Sequence, residues 1–487
     1  MFRYEYFEPE HFLEFLKQGI FDEDINEVVK RFSLYEPLVQ FELINYLRNK
    51  NLPNLSLKIF SQALGISQKD GRHILNANGK IFKLILSGDK KYRITAKLTR
   101  ALVIPGTSKI VTNNEHIKRY LSVVKKFTGK NFAVFFEEDF IGSSFMLPLA
   151  VSLYVENIPE NLVFTGKIDA KGNIFEVEDI NKKFAVVKKK GLKLITPSQV
   201  GHIDTIKAFL DRKSWNLPFY VTSESLQEMK AFLSFVPEEK ISKELSFFKG
   251  LELFYNISED NFCITTGQLK EKGEWEKVCI NFYKNIQLLK IKLPGEKTFH
   301  FGIRGPASLA FPLGIVFGSQ DSFIIYHYQG GKYYPVKVLN PREIKERVSS
   351  FKNIKYEFEK RNEELVIMLD LAHHEIFADV KTYAESILNN PSYLVICHEL
   401  AGNLPIDKFK EIVKESASLI QSLKRKYSFL SFHFFFSCPV TIAFMLGIAF
   451  GHYEKGWVYN YQQQEKKYLP VINFDILRKI REGDVRF

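Results

Sequence analysis

Cysteine, methionine and tryptophan are scarce in this 487-residue chain, at four, five and three residues. The four cysteines, Cys263, Cys279, Cys397 and Cys438, stand singly inside apolar, strand-like runs, with no CxxC pair. That pattern argues against a disulfide framework and against a zinc site, and reads as buried, reduced thiols in a cytoplasmic protein. No Gly-x-x-x-x-Gly-Lys-[Ser/Thr] run occurs, which excludes a P-loop ATPase. Low-complexity tracts are missing too. The first residues, MFRYEYFEPEHF, are acidic and aromatic, so no secretory leader is expected there.

What the chain does hold is ordinary in bulk and unusual in pattern. Hydrophobic content of 45% and charged content of 25% are those of a globular protein, and the length predicts about three domains. The net charge of +12 is spread along the chain and favours anionic partners only weakly. The pattern is a duplication. Residues 300–328 align without a gap onto residues 433–461. The shared positions include His300/His433, Pro306/Pro439, Phe311/Phe444, Gly314/Gly447, Gly318/Gly451, Tyr326/Tyr459 and Tyr328/Tyr461. Each copy then reaches Tyr-x-Pro-Val, at Tyr333 and at Tyr468. So long a period marks a duplicated domain and not a solenoid. Two fused copies make a pseudo-symmetric module, which suits a ligand that is itself two-fold symmetric.

Residues 429–450 are apolar and long enough to span a bilayer. His433, Ser437 and Pro439 interrupt them, however, and the other copy carries Arg304 in the same region. A buried strand, a tight turn at the proline and a buried helix explain both copies, so no membrane partner is expected.

Within each copy, a strand entering a helix at a proline turn resembles half of a Rossmann-like fold, where helix N-terminal amides hold phosphate. The turns are Ile303-Arg304-Gly305-Pro306 and Phe436-Ser437-Cys438-Pro439. Arg304 suits a phosphate there, or a surface salt bridge. Ser308 and Thr441, one turn into the helices, suit phosphate or a bond back to their own helix. Strands over 365–371 and 393–398 end in polar residues, among them His373, His374, His398, Glu399 and Asn403, which would line the same edge. No metal is expected at His373-His374-Glu375, because no further ligand sits at helical spacing. The paired tyrosines read as core.

The N-terminal region, residues 1–98, reads as mostly helical. Residues 55–75 resemble a helix-turn-helix, and residues 81–94, with Gly88-Asp89-Lys90-Lys91 at the centre, a wing hairpin. Only Lys69 and Arg72 decorate the second helix, so direct DNA binding is not expected and a packing scaffold is.

Between these regions lies the chemistry. A helix over about 179–190 places Lys183 in the apolar stripe of Ile180, Phe184 and Val187. A buried, unpaired lysine is costly unless its neutral form is useful, and a neutral lysine can deprotonate a serine. Ser144 precedes an apolar helix, where serine routinely caps and where free amides can hold an oxyanion. In register with this, Thr165, Gly166, Gly172, Ile174, Val177, Lys183 and Gly191 fall on T-G-E-I-x-x-x-G-x-V-x-x-I-G-G-x-x-E-K-x-x-A-A-x-x-x-G-I-x-x-V-x-x-P, with Pro197 one position before its closing proline. Upstream, Gly142-Ser143-Ser144 matches G-P-S. Residues 101–237 therefore resemble the proteolytic domain of the Lon family. The resemblance makes Ser144 the nucleophile and Lys183 the general base, with Ser143 as the neighbouring alternative and Thr165 either orienting the lysine or serving as an ordinary strand threonine. Two departures bear on the oxyanion hole and the substrate groove. Phe145-Met146 replaces the family's Ala-Gly, and Glu178-Asp179 replaces its Gly-Gly.

The duplicated module after a Lon-like domain resembles the SAVED family, two fused CARF-like units that bind cyclic oligonucleotides. The whole chain resembles the CRISPR-associated Lon proteases that carry such a sensor. The fold class so implied is mixed α/β. A helical, winged-helix-like region (1–98) precedes a Lon-type α+β protease domain (99–237), followed by a tandem Rossmann-like, CARF-like SAVED pseudo-dimer (238–487, halves about 238–350 and 351–487). The resemblance implies a cytoplasmic, ATP-independent, metal-free serine endopeptidase of a type III CRISPR antiviral defence system. Its expected activator is a cyclic oligoadenylate, cyclic tetra-adenylate first, bound by Arg304, Pro306, Ser308, His374, Asn403, Ser437 and Thr441. Binding is expected to drive self-association and cleavage of an anti-sigma-like partner, with or without its sigma factor. The alternative is a catalytically inactive Lon fold that acts as a ligand-switched binding or transcription-regulatory protein.

Overall fold

The computed structural model describes residues 7–88, 96–223, 226–236 and 241–484. It divides into two compact units, one comprising Met1–Arg212 with Lys240–Phe254, the other Lys213–Glu239 with Tyr255–Phe487.

In the first unit the apolar spacing of the N-terminal region folds as α1 (Pro9–Gln18), α2 (Ile25–Lys30) and α3 (Pro37–Asn49). They bury Phe12, Leu16, Val28, Phe41 and Ile44. Next come α4 (Leu57–Ala63) and α5 (Gln68–Asn76), capped by Ser56 and Ser67, whose hydroxyls accept from the amides of Ile59 and Asp70. After them run β1 (Lys80–Leu86), β2 (Lys97–Pro105), β3 (Val111–Thr112), α6 (Lys118–Thr128), β4 (Phe132–Phe136) and α7 (Met146–Tyr154). The unit continues through β5 (Leu162–Phe164), β6 (Lys167–Ile168), β7 (Ile174–Phe175), α8 (Ile180–Lys189), β8 (Lys193–Ile195) and α9 (Ile203–Leu210).

The hairpin read as a wing is no wing. β1 and β2 pair antiparallel, but β1 also pairs with β5 and β2 with β4, so both are inner strands of the sheet β3-β4-β2-β1-β5-β8. A wing would leave one edge to solvent, whereas Leu84, Ile85, Ala101 and Leu102 are buried. Of the glycine-centred tip, residues 89–91 lie outside the described residues. The boundary expected at residue 98 therefore falls inside one unit. Helices α1 to α3 and strands β2 and β4 share a hydrophobic cluster that runs from Phe12 to Phe135.

The second unit opens earlier than the sequence suggests, with β9 (Ser214–Thr222) and α10 (Leu226–Leu233). The strand, read with its helix as the close of the middle domain, belongs to a sheet of the second unit, because β9 pairs in parallel with β11 (Glu296–Ile303). Helix α11 (Phe247–Tyr255) lies almost wholly in the segment returned to the first unit. There Gly250 abuts the Phe209 ring, with no room for a side chain. The first half then runs β10 (Cys263–Thr265), α12 (Lys272–Lys292), β11, α13 (Ala307–Phe317), β12 (Ser322–Gln329) and β13 (Lys332–Val338). The second half runs β14 (Lys355–Glu359), β15 (Glu364–Asp370), α14 (Phe377–Ile387), β16 (Ser392–Cys397), α15 (Phe409–Tyr427) and β17 (Ser431–Ser437). It ends with α16 (Val440–Phe450), β18 (Gly456–Gln462), β19 (Lys467–Asn473) and α17 (Phe474–Glu482).

The sheets are β10-β9-β11-β12-β13 and β14-β16-β15-β17-β18-β19. Apart from β14 they correspond strand for strand. The closing hairpins share a pairing, Tyr326 facing Pro335 and Tyr459 facing Pro470, although the second shifts register between Val458 and Tyr459. The duplication visible over residues 300–328 thus reaches back to residue 214.

The halves join through α13 and α16, both buried along their length. A Cβ on Gly314 would lie 2.0 Å from the Phe444 carbonyl oxygen, and one on Gly447 2.0 Å from that of Phe311. Phe301 meets Phe444 at 5.0 Å between ring centroids, and Phe434 meets Phe311 at 4.5 Å. These reciprocal contacts are the signature of an isologous interface, here inside one chain. Residues 429–450 fold as the end of one loop, β17, a turn at Pro439 and α16. Among the described residues no helix is long and apolar enough to cross a membrane.

Candidate functional site

Lys183 is 1% exposed, on α8, and its Nζ donates to Thr165 Oγ1 at 3.2 Å. Burial pulls the ammonium down to about 8 from 10.5, while the nearby Asp179 and Glu178 carboxylates pull the other way. Desolvation wins. Val187 shares the buried side, but Phe184 does not: it is 40% exposed, so the stripe runs through 183 and 187 only. Lys182 points elsewhere and pairs with Asp179 at 3.0 Å.

Ser144 is half-buried in a turn before α7. It is not the helix cap. That position belongs to Phe145, and no side chain caps the helix. The Ser144 carbonyl accepts from the Gly166 N–H at 3.1 Å, and the Gly166 carbonyl from the Leu147 N–H at 3.1 Å. Nucleophile candidate and lysine thus attach to adjacent residues, Ser144 to Gly166 through the backbone and Lys183 to Thr165 through its side chain. The Met146 amide is spent on the Ser143 carbonyl. An oxyanion would therefore draw its donors from amides before Met146, not from the first amides of α7.

The two departures from the family pattern have local explanations. Phe145 is buried against Tyr120, Phe136 and Phe140, so its bulk goes into the core. Asp179 adopts φ +59°, a left-handed conformation that glycine takes freely and aspartate tolerates. Gly172, at φ +92°, has the Phe127 ring 2.6 Å from where a Cβ would stand.

At the carboxyl ends of the parallel strands in the second unit, Pro306 and Pro439 cap α13 and α16, with Leu309 and Ile442 amides turned back on their carbonyls. Each is the cap and not the first helical residue. Arg304 is ion-paired with Glu228 of α10, whose other oxygen accepts from Thr222 Oγ1 at 2.5 Å. Ser308 is buried and donates to Asn460 Oδ1 of the other half at 2.7 Å, so its hydroxyl serves the seam between the halves. Thr441 is equally buried. His374 and Asn403 are exposed on the loops after β15 and β16, and Ser437 Oγ donates to the His374 carbonyl at 2.6 Å. The structure thus brings Ser437 and His374 together and leaves Ser308 and Thr441 inside.

Of each tyrosine pair the first is core and the second is not. Tyr326 and Tyr459 are buried, whereas Tyr328 and Tyr461 are exposed. The buried hydroxyls meet His300 Nδ1 at 2.9 Å and His433 Nδ1 at 3.0 Å. Reasoning from sequence missed Glu228, Asn460 and Asp370. Only Asp370 left a signal, as the one acid closing the apolar run of β15.

Residues 340–474 match the family model of the SMODS-associated and fused to various effectors sensor domain, SAVED. Solved structures similar to the chain include the SAVED/CARF-domain containing receptor Cap4 of Acinetobacter baumannii with the cyclic trinucleotide 3'3'3'-cAAA. It is 16% identical at a TM-score of 0.36, over 53% of this chain and 51% of that one. Cap4 of Moraxella osloensis is 12% identical at a TM-score of 0.32, over 81% and 94%. The chain spans about half the length of the Acinetobacter receptor. No curated protein matches. The family match falls inside the second unit, so the first unit is read from its own residues.

Proposed function

We propose that the chain is a serine protease of antiviral defence, held idle until a cyclic oligoadenylate binds its second unit. The observation that carries the enzymatic part is Lys183, a lysine sealed from water, pulled down to about 8 and bonded to Thr165, one residue from the segment that fixes Ser144. Ser144 would attack the scissile carbonyl as Lys183 takes its proton; the same lysine then protonates the leaving amine. A lysine titrating near 8 is balanced for both transfers. The sensor part rests on the SAVED match and on a pseudo-two-fold pair of helix N-termini that suits a ring of repeating phosphates.

Gating follows from population shift: a ligand that binds the assembled form more tightly draws the chain into it. We assign cyclic tetra-adenylate as the first ligand to test, self-association as the response, and an anti-sigma-like protein as the substrate class, in a type III CRISPR setting. The test incubates the full chain with such a partner, with and without cyclic tetra-adenylate, beside Ser144→Ala. Cleavage that needs both ligand and Ser144 is expected. Ligand binding without cleavage of any partner would instead mark an inactive Lon fold that works as a switched binding protein.

A further inference from the structure

The duplicated sheets allow position-by-position comparison of their carboxyl edges. Ile303 pairs with Val221 in the first half, and Ser437 with Asp370 in the second. Since Arg304 aligns with Ser437, Thr222 is the counterpart of Asp370. The first edge is satisfied internally: Thr222 donates to Glu228, and Glu228 pairs with Arg304. In the second half Ser437 stands where the first has Arg304, and its hydroxyl is committed to the His374 carbonyl.

Asp370 stands at the end of β15 between Cys397 and Ser437. The Ile376 amide faces its carboxyl group, and His374 and Glu375 are the charged or titratable neighbours that act on it. Its Oδ1 is sealed from solvent and has no hydrogen-bond partner among the described residues. Such an oxygen in a native structure asks for a missing donor. The donor cannot be a phosphate, which carries the same charge.

We infer that Asp370 reads a neutral hydrogen-bond donor of the bound ring, either the exocyclic amino group of a purine or a ribose hydroxyl. This rests on the sensor reading above and adds to it. The two halves then divide the labour, with the proline-capped helices facing phosphate and the β15 end discriminating among nucleosides. Access requires the 371–376 turn to shift, since Oδ1 is covered.

The test measures binding of three labelled rings to the full chain: cyclic tetra-adenylate, the same ring with inosine in place of adenosine, and the same ring with 2'-deoxyribose. Inosine exchanges the amino donor for a carbonyl acceptor. The wild type is expected to prefer the first ring at least tenfold over one of the analogues, and that analogue names the group read. Asp370→Asn, close to the same shape, is expected to erase the gap while melting no lower than the wild type without ligand. No gap in the wild type, or the same gap in Asp370→Asn, overturns the assignment and leaves the sensor reading standing. Failure of the wild type to bind any ring overturns both.

Discussion

Each unit buries groups that could carry a proton, and the two cases differ in a way that separates structure from function. In the second unit His300 and His433 occupy equivalent places and each bonds a tyrosine hydroxyl. Their second nitrogens meet Asn216 at 3.2 Å and Ser431 at 3.0 Å. Burial pushes both down to about 4, and at His300 the Lys337 charge pushes the same way. They are neutral, fully partnered and mirrored, as core groups should be. In the first unit Lys183 bonds one hydroxyl among the described residues, has no mirror, and is linked through Thr165 and Gly166 to the half-buried Ser144. A titratable group left under-partnered is where function is to be sought.

That contrast can be broken by mutation. The largest effect is expected for Lys183→Met, which should lower ligand-triggered cleavage by about a thousandfold or more. Yet the same change should stabilise the first unit. Holding the amine near 8 when the unfolded chain holds it at 10.5 costs about 3 kcal/mol at pH 7. Urea unfolding should register that gain, whereas His433→Ala should only destabilise.

The seam between the halves comes next. Gly314→Val should cost the second unit about 3 kcal/mol, since the added carbons strike the Phe444 backbone. Gly447→Val should match it, and unequal costs would deny the two-fold seam.

Acid sharpens the comparison in a different way. With folded values near 4 and unfolded values near 6.5, the unfolded chain binds more protons between them. The stability from each histidine is full above pH 6.5 and declines by about 3 kcal/mol as pH falls to 4. Urea midpoints across that range should fall for the second unit, and replacing both histidines by phenylalanine should flatten the curve. The smallest effect belongs to Tyr459→Phe, about 1 kcal/mol for one lost buried hydrogen bond. The same measurement should give the same value for Tyr326→Phe.

The duplication was legible in residues 300–328 because buried parallel strands and a tight helix seam tolerate few side chains. Its first strand was not, because β9 and β15 share no residue pattern, only a place in the sheet. The wing was misread for a similar reason: β1 and β2 carry an ordinary hairpin pattern, and nothing local says that both outer edges will be paired. Lys183 was readable from helical spacing and Thr165 from the family resemblance alone, and the bond between them was one of two readings. Arg304 stood open between a phosphate contact and a salt bridge, and its ion-pair partner, Glu228, is 76 positions away in the chain. Ser308 misled in the same way, with Asn460 beyond reach of any local rule.

The central claim is that Lys183 serves Ser144 as its base, and the rate of ligand-saturated cleavage against pH tests it most directly. The account predicts a rate that climbs with pH and levels off near 8, with both limbs lost in Lys183→Met. A profile that stays flat from pH 6 to 9, or one that Lys183→Met leaves in place, would contradict it.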